Sequence, residues 1–205
     1  MLVKETRQLF KNTYQYKIVL VSSGAPLLRN GNDLDETLKI IETYDLNNNK
    51  TYIRFKSKDA LDYCKSLVKC IKNLKDYEIR VESPLISFYT NNKSDLDQLA
   101  RLDESMVKYI SVPPKDGIVS GTVIMPKIDY EFKVTMGKTR QEHTDFILWA
   151  EKDTRVKLTK SCRRDLTKIT SWGGTHFYIN GEKNLLVARM MLGGSIGKVE
   201  KIVKQ

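Results

Sequence analysis

From residue 52 onward, apolar and polar positions change places with a period of two: Ile53 and Phe55 alternate with Tyr52 and Arg54. That is the pattern of a strand with one buried face. Ser57 is a suitable N-cap, and after it Ala60, Leu61, Cys64, Leu67, Val68 and Ile71 recur at helical spacing, which predicts an amphipathic helix. Tyr77, Ile79 and Val81 then alternate with Glu78, Arg80 and Glu82. Pro84 breaks that strand, and residues 85–90 form another that leads into a turn at Asn91-Asn92. Leu96, Leu99 and Leu102 mark a short helix over 94–103, and 107–112 is a last strand stopped by Pro113-Pro114. The second half predicts strands at 131–136, 155–159, 175–180 and 198–203, with helices at 139–152, around Phe146, Ile147, Trp149 and Ala150, and at 182–192. Upstream, a strand at 16–21 and a helix at 34–44, joined by a polar turn at Asn30-Gly31-Asn32, extend the first sheet.

The order strand, helix, strand, strand, helix, strand thus occurs twice, and one phrase is nearly repeated. Phe88-Tyr89-Thr90-Asn91 returns 89 positions later as Phe177-Tyr178-Ile179-Asn180, each followed by a Leu eight residues after the Phe, at Leu96 and Leu185. The last strands align with an offset of 92, Val107 to Ile110 on Val199 to Ile202, which implies a three-residue insertion near Gly193, Gly194 and Gly197. The order resembles the ferredoxin-like split βαβ arrangement, four antiparallel strands with both helices on one face. That resemblance implies an α+β chain of two tandem ferredoxin-like repeats. The expected division is an N-terminal α+β domain over 1–114, with its repeat at about 51–114, a connector over 115–129 and a second, basic repeat over 130–205.

Composition narrows the function classes. With 40% hydrophobic and 29% charged residues the chain is that of an ordered globular protein. Charge arrives before any signal-peptide core could form, and no apolar run is long enough to span a bilayer. Three cysteines in no metal spacing, Cys64, Cys70 and Cys162, fit free thiols in a reducing compartment, so a cytoplasmic location is expected. The net charge is +10, of which residues 127–205 carry +7 and the stretch 152–168 alone +5. Such a cluster attracts polyanions.

If Phe88 and Phe177 face their cores, alternation puts Tyr89 and Tyr178 on open sheet faces. Beside Tyr89 the charge is mixed, with Tyr52, Arg54 and Arg80 among Glu78 and Glu82; beside Tyr178 stand Lys133, Arg155, Lys157 and His176. Aromatic rings for bases and cations for phosphates are the means of holding a single strand. Lys160, Arg163, Arg164 and Lys168, read as lying in a loop between strands, complete the expected interface. The expected function is non-enzymatic binding of RNA or single-stranded DNA. The alternatives are a protein-interaction or assembly component, of cellular or viral type, and a nuclease, with or without a metal.

Signals for catalysis are weaker. His143 and His176 are the two histidines, one in a predicted helix and the other on a sheet, which does not bring them together for acid–base work. Cys162 lies beside Arg163 and Arg164 but has no His near it in sequence, and reads as a free thiol. Asp33 with Asp35, and Asp95 with Asp97, sit where helix capping explains them. The run Gly193-Gly194-Ser195-Ile196-Gly197-Lys198 follows a helix and lacks P-loop spacing, so it reads as a helix stop. No cofactor or metal is expected.

Overall fold

The computed structural model describes residues 2–29, 33–46 and 53–204. The chain divides into two compact units, Met1–Ile118 and Val119–Gln205. Unit 1 contains strands β1 (Val3–Glu5), β2 (Tyr16–Val21), β3 (Tyr77–Glu82), β4 (Leu85–Thr90) and β5 (Val107–Val112), with helices α1 (Leu34–Glu42), α2 (Lys58–Lys72) and α3 (Lys93–Leu102). Unit 2 contains β6 (Thr122–Ile124), β7 (Phe132–Met136), β8 (Val156–Leu158), β9 (His176–Ile179) and β10 (Ile196–Val203), with α4 (Thr144–Lys152), α5 (Lys160–Leu166) and α6 (Glu182–Leu192). The fold is α+β, with two five-stranded mixed sheets, ordered β1-β5-β2-β4-β3 and β6-β10-β7-β9-β8.

Purely antiparallel sheets were expected, and the edge strands correct this. β1 runs parallel to β5 and β6 parallel to β10, while every other pairing is antiparallel. In each unit the last strand is inserted between the two halves of an opening β–β pair, so it meets the first half in parallel and the second antiparallel. β6 occupies part of the stretch read as a connector.

Period-two alternation along β4 and β9 sends Phe88 and Phe177 inward, both fully buried. Phe88 packs with Ile18, Leu20 and Ile86 against Leu67 and Ile71 of α2 and Leu96 and Leu99 of α3. Phe177 packs with Val134 and Ile179 against Phe146 of α4 and Leu185 and Ala188 of α6. The shared Leu of the repeated phrase therefore closes each core from the second helix.

Four further expectations need correction. Residues 53–55 are not a strand: the Tyr44 hydroxyl donates to the Ile53 carbonyl at 2.9 Å and accepts from the Phe55 N–H at 3.2 Å, meeting backbone groups that a sheet partner would otherwise satisfy. Tyr52 and the turn at 30–32 lie outside the described residues. The place of that strand in the sheet belongs to β2, paired with β4 and β5 on its two sides.

Residues 160–166 are a helix instead of a loop. Thr159 caps α5 by accepting from the Cys162 N–H, and Cys162 and Leu166, four apart, are its buried face.

The offset of 92 does not hold, because 89 persists to the end of the repeat. Pairing skips Lys108 between β2 and β5, and Gly197 between β7 and β10, so both units carry a bulge at the same place, 89 positions apart. The single-turn 3-10 segments before these strands, Glu104–Met106 and Gly193–Ser195, keep the same spacing. The helix expected over 139–152 begins only at Thr144, with His143 at its N-cap position.

Candidate nucleic-acid interface

The face of each sheet opposite the helices is covered around its tyrosine. In unit 1 a tight hairpin, closed by reciprocal backbone bonds between Phe10 and Tyr14, lays both rings on Tyr89, with centroids at 5.7 and 6.4 Å. In unit 2 Tyr130 stacks on Tyr178 at 5.9 Å, and Met125 and Ile128 join Val123 and Ile202 around it. Tyr89 is 5% and Tyr178 7% exposed. The alternation placed both side chains on the expected face, but that face is not open at either ring.

The cations beside Tyr178 are in different states. Lys133, opposite Tyr178 on one side and Glu200 on the other, is half-buried with its ammonium 3.8 Å from the Glu200 carboxylate. Lys198 meets the other oxygen of Glu200 at 2.7 Å, so this buried acid lies between two lysines. His176 shares a hydrogen bond with the Tyr178 hydroxyl at 3.0 Å, and burial and the Lys133 ammonium lower its pKa. Lys157, opposite Tyr178 on edge strand β8, is exposed. Arg155 is held by both Asp153 oxygens, at 2.8 and 2.9 Å, which lowers the pKa of that acid.

A second group of predicted residues lies on the helix side. Lys160, Arg163 and Arg164 of α5 border a groove of about 610 Å³ whose apolar wall is Ile147 and Leu148 of α4. Arg163 pairs with Glu151 at 2.6 Å, and Lys168 with Asp165 at 3.0 Å. Lys160 and Arg164, one helical turn apart and exposed, make no ion pair among the described residues. The expected site is therefore two surfaces: Lys133, Lys157, His176 and Tyr178 on the sheet, with Arg155 just before edge strand β8 and tied to Asp153, and Lys160, Arg163, Arg164 and Lys168 by the helices.

The enzymatic candidates stay apart. His143 bonds to Ser195 at 3.0 Å, both buried, and desolvation lowers the His143 pKa; His176 bonds to Tyr178. Burial pushes the Cys162 thiol up to about 11, so it is a poor nucleophile at neutral pH. Asp33 caps α1 by accepting from the Asp35 N–H. Among the described residues no group of three or more His, Cys, Asp or Glu could hold a metal, and no helix is long and apolar enough to cross a membrane.

A loop cluster at the end of the unit 2 sheet contains Trp172-Gly173-Gly174, which the sequence marks as a turn with a Trp at its tip that could serve a binding surface. Thr139 and Ser171 exchange backbone hydrogen bonds at 2.9 and 3.2 Å, and the Gly174 N–H donates to the Met136 carbonyl at 2.8 Å. A Cβ on Gly173, whose φ is +80°, would come 2.5 Å from the Gly137 backbone, so the close approach of the two loops requires glycine at 173. Between these anchors Trp172 is 85% exposed, with the Lys138 ammonium 4.7 Å above its ring. The readable signal was the Trp-Gly-Gly sequence; its pairing with Gly137 spans too many residues for periodicity to reveal. No protein-family model matches this chain, and no curated protein or solved structure matches it.

Proposed function

We propose that the protein binds RNA or single-stranded DNA through unit 2, without catalysing a reaction. The observation that carries this reading is the pair Lys160 and Arg164, exposed on successive turns of α5 and in no ion pair among the described residues. Unpaired cations can exchange counterions for phosphates without first breaking an ion pair. The +7 charge over residues 127–205 supplies the surrounding field. The interface lies on the helix side, because Tyr178 is covered. We also read each unit as a ferredoxin-like repeat carrying an added edge strand, a reading supported by the antiparallel orders β5-β2-β4-β3 and β10-β7-β9-β8. Three free cysteines support a reducing, cytoplasmic setting.

Fluorescence anisotropy with single-stranded RNA, single-stranded DNA and duplex, each at two salt concentrations, tests the reading. Wild-type protein binds, and the double variant Lys160→Gln, Arg164→Gln binds less tightly, with a log–log salt slope on single strands shallower by about 1.4. No wild-type binding at low salt, or an unchanged slope in the variant, would overturn it. A second reading, an assembly component, is supported by Leu186 and Met190, four apart and exposed on α6. It takes precedence if nucleic acid fails to bind and the protein associates with itself through that face.

A further inference from the structure

Trp172 combines large exposure with fixed neighbours. An indole of this size ordinarily buries much of its surface, and one left in water is usually on a segment free to move. Here Ser171, 6% exposed, is bonded through its backbone to buried Thr139, and Gly173 is packed on Gly137. The Gly173 N–H also donates to the Ser171 hydroxyl at 3.3 Å. The ring is thus presented from an anchored loop, with its orientational cost already met by folding.

Charge surrounds it on one side. Lys138 and Arg140 flank buried Thr139, and both are exposed. Neither makes an ion pair among the described residues. They border a cleft of about 440 Å³ with Gln141 and Ser195. A planar ring would find an aromatic face at Trp172, and a phosphate attached to it would find nearby two cations that make no ion pair among the described residues. Lys138 covers one face of the indole, which leaves the opposite face for stacking.

We infer that Trp172, Lys138 and Arg140 form a single-strand site in which one nucleobase stacks on the indole and its phosphate lies by the two cations. This rests on the reading that unit 2 binds nucleic acid, and it adds the element that distinguishes single strands from duplex, since a paired base cannot leave its stack without cost. Lys160 and Arg164 supply affinity for any phosphate backbone, whereas Trp172 requires an unpaired base.

The test uses the full chain, a short oligothymidine strand and the corresponding duplex. Trp172→Ala weakens single-strand binding about 5- to 150-fold and leaves duplex binding unchanged. Trp172→Phe restores part of the loss, and circular dichroism confirms that both variants are folded. In a Trp149→Phe background the remaining tryptophan emission is quenched by the single strand. If wild type binds but Trp172→Ala is as tight on single strands, or weakens both forms equally, the stacking site is overturned while the α5 interface stands. If wild type binds neither form, both proposals fall.

Discussion

The same end of the sheet is built differently in the two units. In unit 1, Val21, Tyr63, Pro84 and Met106 line a largely apolar cavity of about 290 Å³. In unit 2, 89 positions after Met106, stands Ser195, bonded to His143, and the position matching Val21, the last residue of β2, is Gly137, just past the end of β7. Across the sheet the tyrosine keeps a lysine on one side, Lys17 or Lys133, but its other neighbour changes from Glu78 to Lys157. Glu78 pairs with Lys11, while Lys157 stands exposed. Strand order, bulge and cores are shared, whereas charge, polarity and loop glycines are not. Differences confined to the rims of matching sheets make those rims the place where separate tasks for the two units are to be tested.

The largest expected effect tests what is shared. Phe177→Ala lowers the stability of unit 2 by about 3–5 kcal/mol, and Phe88→Ala does the same to unit 1, because each empties the centre of a buried cluster. Both tryptophans lie in unit 2, so their emission during urea unfolding reads that unit, and far-UV circular dichroism reads the sum. A loss below about 1 kcal/mol in either would show that the matching rings do not play matching parts.

Smaller effects sharpen the difference. Gly173→Ala forces a side chain onto the Gly137 backbone at positive φ and costs unit 2 on the order of 1–3 kcal/mol. Lys108→Ala, at the unit 1 bulge, stays within about 0.5 kcal/mol of wild type. Equal urea midpoints for these two variants would erase the distinction between the sheet ends.

The smallest effect is a pH dependence confined to one unit. Both histidines are in unit 2, and burial keeps the pKa of each below its ordinary 6.5. As pH falls through that value the unfolded chain takes up protons that the folded unit resists. The unfolded state binds more protons, so stability is full above about pH 6.5 and declines below it. The tryptophan-detected urea midpoint should fall between about pH 7.5 and 5.5, and His143→Gln with His176→Gln should flatten the curve. A wild-type midpoint that stays level would mean that burial does not oppose imidazole protonation.

Most of this fold was legible locally. The limits of α6 follow directly from the sequence, as do the paired strands β3 and β4 and the inward Phe88 and Phe177. Ile53 and Phe55 mislead because they are buried with a strand's alternation, while their backbone is met by one tyrosine hydroxyl. α5 offers only Cys162 and Leu166 as an apolar stripe among polar residues, too faint a period to recognise. For the site, basic character in 152–168 was readable but its allocation was not. Pairing of Arg155 with Asp153 and Arg163 with Glu151 depends on rotamers, and the cover over Tyr178 comes from Tyr130, far upstream.

The asparagine of the repeated phrase makes the same bond twice. Asn91 accepts from the Gln15 backbone N–H at 3.0 Å and Asn180 from the Glu131 backbone N–H at 2.7 Å, each just before the first strand of its pair. One partner in this bond is a side chain and must be spelled; the other is a peptide group that any residue but proline provides. Half of the message is therefore silent, and two copies can drift apart at positions 15 and 131 without losing the connection.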